Sequence, residues 1–336
     1  MAKRNAMKSH ECEFAASEIL KLLGSVLWPL GLFALVMHLG VLANVWPRPL
    51  PTSDTDRTIL LHQAAASRST HDADLLLIGD SSCLMDVSAP LLGPALPGGR
   101  RALNLGTLSY LDLTSYAAIL RQHFAANPGR VRTVVLLMHP EALRRAAPEE
   151  HHEEILGRYY AGLDYCDPAT PSLVCWMGGV ILKGRLLSRC LPVPLAGAYG
   201  QKYGFTAGLW DYLDRHQGSA IDPRKFEGSA AQGNAEYQLS PRLEHTSQAF
   251  RSAIPPGVRL HLGITPAPES FVRADYPQRH AEMLRQLGTW LRADATLANL
   301  PATMPDERFA STTHLNEAGQ RIFTEMLASE FLIQRK

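Results

Sequence analysis

The sequence lacks the usual markers of nucleotide, metal and nucleic-acid binding. Neither Gly-x-Gly-x-x-Gly nor a Walker pattern stands where a strand would meet a helix, and Gly-x-Ser-x-Gly is also absent, which argues against nucleotide binding and against an α/β-hydrolase elbow. The charges nearly cancel, with 33 Lys and Arg against 32 Asp and Glu, so no basic face for a nucleic-acid partner is expected. None of the spacings among the 5 cysteines resembles a zinc site. We therefore expect no metal and no cofactor.

Charge is also missing from one long stretch near the N-terminus. Residues 22–46 contain no Lys, Arg, Asp or Glu, and a transmembrane helix needs about 20 apolar residues. The basic residues before this stretch favour a cytoplasmic N-terminus, so residues 1–21 are predicted as a cytoplasmic tail and 22–46 as a single-pass anchor in the inner (cytoplasmic) membrane. A cleaved signal peptide is the alternative, although its apolar core is usually shorter. The globular part would then be extracytoplasmic, periplasmic in a Gram-negative cell, where two of Cys166, Cys175 and Cys190 could form a disulfide.

After a polar linker over residues 47–71, in which 58–66 could form a helix leading into the globular part, apolar runs of strand type alternate with segments of helical spacing. Strands are predicted over 74–79, 102–105, 131–138, 258–264 and 297–300, and helices over 87–96, 111–126, 241–253, 277–291 and 316–331. This alternation predicts an α/β domain with a mostly parallel sheet over residues 72–336. The rhythm breaks over about 143–239, which is predicted as a long insertion beside or over the site, because ordinary connections are far shorter. A helix is predicted within it, over about 173–187.

The first predicted strand ends in Gly79-Asp80-Ser81-Ser82. These residue types are common in turns, so a strand followed by a plain turn is the simpler interpretation. Catalytic groups of parallel sheets, however, gather just past the carboxyl ends of the strands, and Ser81 lies there. A serine nucleophile needs a base in hydrogen-bond reach and donors for the developing oxyanion. His314, before the last predicted helix, is the best candidate base, and the backbone N–H groups of Ser81 and Gly106 could form the oxyanion hole.

Three short blocks together resemble the SGNH/GDSL hydrolase superfamily: Gly79-Asp80-Ser81, Asn104-Leu105-Gly106 and His314-Leu315-Asn316-Glu317-Ala318-Gly319. The resemblance covers roughly residues 74–331 outside the insertion. It implies a flavodoxin-like three-layer α/β/α fold and acyl transfer from a serine to water or to another hydroxyl. By position, it makes Ser81 the nucleophile, His314 the general base and Gly106 an oxyanion donor, with Asn104 beside it and Asp80 in a positioning role.

Two positions depart from the pattern of this superfamily. Its third block usually supplies an asparagine to the oxyanion hole, and here that place holds His139, which could replace it. Its usual triad acid lies three residues before the histidine, and here that position is Ser311. Asp306 could orient the imidazole if its loop folds back. Otherwise the site would work as a Ser–His dyad or be inactive, since losing the orienting acid costs several orders of magnitude in turnover.

With its predicted anchor, the chain further resembles the branch of this superfamily that handles O-acyl groups on bacterial polysaccharides, such as alginate acetylation and teichoic-acid D-alanylation proteins. The first functional hypothesis is therefore an O-acetyltransferase or acetylesterase that acts on a polysaccharide or acyl-sugar substrate. A transferase would need an acyl donor delivered by a separate multi-spanning membrane protein. The second hypothesis is a catalytically silent scaffold or glycan-binding subunit of an envelope polysaccharide assembly. A plain lipase-like esterase ranks below both, because it needs neither the anchor nor the insertion.

Overall fold

The computed structural model describes residues 16–42, 54–96, 98–107, 111–145, 148, 150–160, 193–227 and 237–333. The chain divides into two units between residues 46 and 47, and the described part of the first unit is helix α1, Ala16–Leu42. Across the described ranges, no helix combines the length and the apolar character that crossing a membrane requires. The anchor predicted over residues 22–46 is thus not supported by the structure.

The second unit is built on a parallel sheet. Its strands in chain order are β1 Leu75–Gly79, β2 Ala102–Asn104, β3 Thr133–Met138, β4 Arg259–Ile264, β5 Ala267–Pro268, β6 Ala295–Thr296 and β7 Thr303–Met304. Five of them form one sheet in the order β2-β1-β3-β4-β6, with every neighbouring pair parallel, while β5 and β7 pair separately. The predicted α/β architecture with a mostly parallel sheet is confirmed.

The last strand of the main sheet differs from its prediction. The apolar residues of 297–300 predicted a strand, but the strand is β6, just before them. Leu297 and Leu300 are instead buried core residues, and both approach Gly263 of β4, where an added Cβ would lie 3.0 and 3.3 Å from their Cδ1 atoms. Their apolar character serves side-chain packing under the sheet rather than strand pairing.

Helices surround this sheet. They are α2 Thr55–Arg68, α3 Ser81–Asp86, α4 Ala89–Ala95, α5 Leu113–Ala126, α6 Pro140–Arg145, α7 Glu150–Tyr160, α8 Gly197–Tyr203, α9 Thr206–Arg215, α10 Arg242–Ser252, α11 Tyr276–Leu291 and α12 Glu317–Ile333. Two short helices follow β1: α3, which was not predicted, and α4, which confirms the helix predicted over 87–96. The first begins at Ser81 because the Asp80 side chain accepts hydrogen bonds from the next backbone N–H groups and caps it.

Both faces of the sheet are covered by helices, which explains why β1 reads as a continuous apolar run. Successive side chains of a strand point to opposite faces. Leu76 and Ile78 belong to a core shared with α2, α5, α10 and α11. Leu75 and Leu77 belong to a second core shared with α4 and α12. The predicted linker 47–71 therefore contains a core element, since α2 contributes Leu60 and Leu61 to the first of these cores.

One described part of the predicted insertion, residues 195–220, packs against the helix that carries Ser81. Leu195, Leu209 and Leu213, from the segment of α8 and α9, form an apolar cluster with Leu84 and Met85 of α3. The insertion therefore helps to position α3. The helix predicted near residues 173–187 and the three central cysteines fall outside the described residues. Cys83 is a free, buried cysteine.

Candidate active site

Ser81 stands at the junction of β1 and α3. Gly79 has φ +153°, and a Cβ there would lie 1.7 Å from the Leu137 carbonyl oxygen of β3, so only glycine permits this close approach. Asp80 then caps α3, because its Oδ1 accepts hydrogen bonds from the N–H groups of Ser82 at 3.0 Å and Cys83 at 3.4 Å. The local sequence thus places Ser81 on the first turn of a helix at the carboxyl edge of the sheet.

Three side chains from distant parts of the chain form a continuous hydrogen-bonded line at this edge. The Oγ of Ser81 lies 2.7 Å from Nε2 of His314, and Nδ1 of His314 lies 2.6 Å from Oδ2 of Asp222. With a carboxylate at Nδ1, that nitrogen carries the ring proton, and Nε2 is left to accept the proton of the serine hydroxyl. The structure brings together Ser81 and His314 as predicted, and it adds Asp222.

Asp222 is held as a carboxylate by a second partner, Arg224. The guanidinium Nε lies 2.9 and 3.0 Å from the two carboxylate oxygens, and Nη2 lies 2.5 Å from Oδ2. Burial raises the pKa of Asp222, but the hydrogen bonds from His314 and Arg224 outweigh it and hold the pKa well below its usual range. The Asp222 side chain is fully buried, whereas that of Arg224 is 48% exposed. The site therefore keeps a negative charge behind the imidazole at neutral pH.

The acid expected at Asp306 lies elsewhere. The Oδ1 of Asp306 accepts a hydrogen bond from the backbone N–H of Ser270 at 3.1 Å. Ser311, where the superfamily pattern has an acid, closes the turn before the histidine, because its Oγ accepts the N–H of His314 at 3.1 Å. The prediction for Asp306 is corrected: the partner of His314 is Asp222, which lies 92 residues upstream within the insertion. No local pattern marks Asp222 or Arg224 in the sequence.

The segment before Asp222 is tied firmly to the helix that carries Ser81. The N–H of Ala220 donates to the carbonyl of Leu84 at 3.0 Å, and the Tyr203 hydroxyl donates to the carbonyl of Ile221 at 2.7 Å and accepts its N–H at 3.0 Å. Gln320 of α12 donates to the carbonyls of Met85 at 2.6 Å and Ala220 at 2.7 Å. These bonds fix the acid relative to the serine although they are far apart in the chain.

Gly106 and Asn104 position the site rather than bind an oxyanion. The N–H of Gly106, predicted as an oxyanion donor, instead donates to Oδ1 of Asn104 at 2.8 Å. Asn104 Nδ2 donates to the carbonyl of Cys83 at 2.8 Å and to Oγ of Ser219 at 3.2 Å. A Cβ on Gly106 would lie 2.5 Å from the backbone N of Leu84. The pair thus holds α3 against the segment that leads to Asp222, and the predicted donor role of Gly106 is corrected.

His139 follows β3 and presents a buried donor. Its Nδ1 accepts the N–H of Glu141 at 3.1 Å, so the neutral ring carries its proton on Nε2. Burial and, to a lesser extent, the charge of His314 lower the pKa of His139 to about 3. The ring is therefore neutral. Among the described residues, Nε2 has no hydrogen-bond partner although the side chain is buried. His139 therefore has a free N–H at the same sheet edge as Ser81.

The helix α3 holds both histidine segments through the acids at its two ends. Oδ2 of Asp80 accepts the backbone N–H of His139 at 2.8 Å, and Oδ1 of Asp86 accepts the backbone N–H of Leu315 at 2.8 Å. Burial raises the pKa of Asp80 to about 6, against three backbone hydrogen bonds that lower it. Burial also raises the pKa of Asp86 well above its usual range. The positioning role predicted for Asp80 thus has a structural basis in its bond to the His139 backbone.

The raised pKa of Asp80 predicts a pH-dependent stability. The folded state holds this proton more tightly than the unfolded state, whose pKa is near 3.8. The free energy of unfolding should therefore fall as pH rises from about 4 to about 7, by about 3 kcal/mol from this group. Urea unfolding at about pH 3 and about pH 7, each about one pH unit outside the two pKa values, measures the change. In Asp80→Asn this contribution should vanish, and an equal pH slope in parent and variant would contradict the prediction.

Comparison with known proteins adds no family to this geometry: no protein-family model matches the chain, and the search of curated proteins found no significant match. The functional interpretation rests on the Ser–His–Asp line and its surroundings.

Proposed function

We propose that this chain is a serine-dependent acyl-transfer enzyme, an O-acetyltransferase or acetylesterase, with Ser81, His314 and Asp222 as its catalytic triad. The hydrogen-bonded line from Asp222 through His314 to Ser81, with contacts of 2.6 and 2.7 Å, is the observation that carries the proposal. Such a line supplies what a weak serine nucleophile needs, a base within reach and an acid that orients the base.

The first half of the reaction forms an acyl-enzyme. Oγ of Ser81 attacks the acyl carbonyl carbon while Nε2 of His314 takes the hydroxyl proton. Asp222 stabilises the imidazolium that results. The negative charge that develops on the carbonyl oxygen needs preorganised donors. We assign two donors to this oxygen. One is the backbone N–H of Ser81, because the Asp80 carboxylate bonds the N–H groups of Ser82 and Cys83 instead. The other is Nε2–H of His139, which has no partner among the described residues.

The second half transfers the acyl group onward. When the tetrahedral intermediate collapses, the leaving alcohol takes the proton from His314, and the acyl group stays on Ser81. Water or a sugar hydroxyl then gives its proton to His314 Nε2 and attacks the acyl carbon. Collapse of the second intermediate returns that proton to Ser81 Oγ and releases an acid or a new ester. Hydrolysis and transfer differ only in the acceptor, so the same site serves an esterase and a transferase.

The fold is consistent with the SGNH/GDSL resemblance. The order β2-β1-β3-β4-β6 has the pattern of the flavodoxin-like order, in which ligands bind past the carboxyl ends of the strands. Helices cover both faces of the sheet, as a three-layer α/β/α fold requires. We assign the second unit to this architecture. Asp222 then orients the histidine in place of the superfamily's usual acid, although it lies in the insertion and not three residues before the histidine.

The substrate class is proposed from the resemblance alone. A polysaccharide or acyl-sugar substrate, and an acyl donor delivered by a multi-spanning membrane protein, fit the polysaccharide branch of the superfamily. The triad and its supports all lie in the second unit. The extracytoplasmic membrane location is a separate prediction from the apolar sequence of residues 22–46, checked by fractionating cells that express the full-length chain.

Covalent labelling tests the proposed nucleophile. A fluorophosphonate should react with the full-length chain as Ser81 Oγ bonds to phosphorus, fluoride leaves and His314 takes the hydroxyl proton. Mass spectrometry of the peptide that contains Ser81 should show the added group. Labelling should disappear in Ser81→Ala and persist in Ser82→Ala, because the Ser82 hydroxyl donates to the carbonyl of Thr313. Failure of the parent chain to label would favour the catalytically silent scaffold instead.

A further inference from the structure

Five buried polar atoms at and beside the carboxyl ends of β3 and β4 have no partner among the described residues. These atoms are Nε2 of His139, the hydroxyl of Tyr237, Oγ1 of Thr265, the hydroxyl of Tyr276 and Nε2 of His280. The five residues are at most 4% exposed. Buried polar side chains are normally hydrogen-bonded, so each exception calls for an explanation such as a ligand or an ordered water.

Ring contacts link four of these residues, and Thr265 is bonded through its backbone to Met138, the residue before His139. The rings of His139 and Tyr237 are 6.1 Å apart between centroids, those of Tyr237 and Tyr276 are 5.3 Å apart, and those of Tyr276 and His280 are 5.9 Å apart. Thr265 joins them at the end of β4, where its N–H donates to the carbonyl of Met138 at 3.1 Å. Because β1 is the neighbour of β3 and β3 of β4, the group continues along the sheet edge from Ser81. We call these five residues the polar pocket.

The polar pocket is electrically neutral. Burial lowers the pKa of His280, and it raises the pKa values of Tyr237 and Tyr276, so none of these groups is charged near pH 7. The charge of Glu141 also raises the pKa of Tyr237. The Glu141 carboxylate is paired with Arg144 and Arg145, at 2.6 Å each. Hydroxyls, ring N–H groups and aromatic faces without charge suit a hydroxyl-bearing ligand rather than an ion.

We infer that the polar pocket binds a neutral, hydroxyl-bearing group of the substrate beside Ser81. This inference rests on the proposed function, since it assigns part of the substrate of the same site. The hydroxyl can come from the acyl side, as in a hydroxyacyl ester, or from the acceptor side, as in a sugar. In either case, it would supply the partners that the buried atoms of Tyr237, Thr265 and Tyr276 lack.

A binding measurement on the full-length Ser81→Ala chain tests the polar pocket without requiring turnover. Methyl lactate probes the acyl source, methyl glucoside probes the acceptor source, and methyl propionate lacks a free hydroxyl. Dissociation constants come from titrations followed by nuclear magnetic resonance. Tyr276→Phe and Thr265→Val, added to Ser81→Ala, should each raise the dissociation constant of one hydroxyl-bearing probe by about three- to tenfold, the loss of one neutral hydrogen bond. The value for methyl propionate should stay within about twofold.

Tyr160→Phe is the matched control, because it also removes a tyrosine hydroxyl, one that bonds Oγ of Ser67 at 3.0 Å. It should leave the binding of every probe unchanged. Its melting temperature should fall, whereas that of Tyr276→Phe should not, since no structural bond is lost there. Weakened binding of methyl lactate or of methyl glucoside supports the inference and identifies the source of the hydroxyl. Absence of binding by both, or equal binding in all variants, would overturn it and leave the pocket to water. Neither result depends on labelling at Ser81.

Discussion

Replacing Ser81 by alanine should abolish hydrolysis of p-nitrophenyl acetate by the full-length chain, with kcat reduced by about 10⁵- to 10⁶-fold. The reason is that Oγ of Ser81 is the atom within 2.7 Å of the base His314, and alanine leaves nothing to attack the acyl carbonyl. Release of p-nitrophenolate at pH 7.5 (about neutral, where Asp222 is a carboxylate) follows the reaction directly.

His314→Ala provides a second test of the same unit. Because the nucleophile and its base act together, each single variant should lose about as much activity as the double variant. Ser82→Ala is the control, and its activity should remain near that of the parent, as its hydroxyl is engaged with the Thr313 carbonyl at 2.9 Å. Equal activity in the parent, Ser81→Ala and His314→Ala would rule out the Ser–His mechanism.

Asp222→Asn should lower kcat by about 10³- to 10⁴-fold with little change in KM. Asparagine keeps the shape of the side chain but removes the charge that stabilises the imidazolium and the acceptor that keeps the proton on Nδ1. Because Nδ1 of His314 is 2.6 Å from the carboxylate, an amide N–H there would favour the tautomer that cannot take the serine proton. Steady-state kinetics with p-nitrophenyl acetate measure the loss.

Asp306→Asn is the matched control for Asp222→Asn. Asp306 accepts a hydrogen bond from Ser270, so its variant should keep kcat within about twofold of the parent. The two variants make the same chemical change at the acid that the sequence suggested and at the acid that the structure places on His314. A large loss in Asp306→Asn with normal activity in Asp222→Asn would reverse the assignment.

Features that depend on neighbouring residues could be predicted from the sequence. The apolar run of β1, the glycine that lets it turn beside β3 and the Asp80 cap lie within a few residues of one another. Ser81 was therefore placed correctly at the strand end. His314 could be placed because it precedes the last helix, at the sheet edge where parallel strands end. The predicted strands and helices mostly overlap those observed, since apolar periodicity reflects which faces are buried.

Features that depend on contacts between distant segments could not be predicted. The N–H of Gly106 is taken by Asn104 only because α3 packs against that turn. His139 could be named from its position, but its tautomer depends on the bond from Glu141. The polar pocket combines residues from the ends of two strands, from the segment before α10 and from α11.

For the block Gly79-Asp80-Ser81, the sequence by itself determined that Ser81 lies at the end of the strand and which histidine could approach it. Only the tertiary structure decided which acid completes the site. Asp222 is 92 residues from His314 and lies in an insertion with no recognisable pattern, so local propensities carry no information about their contact. The packing of α8 and α9 on α3, with the bonds from Tyr203 and Gln320, brings it there. Those contacts form only when the whole unit folds.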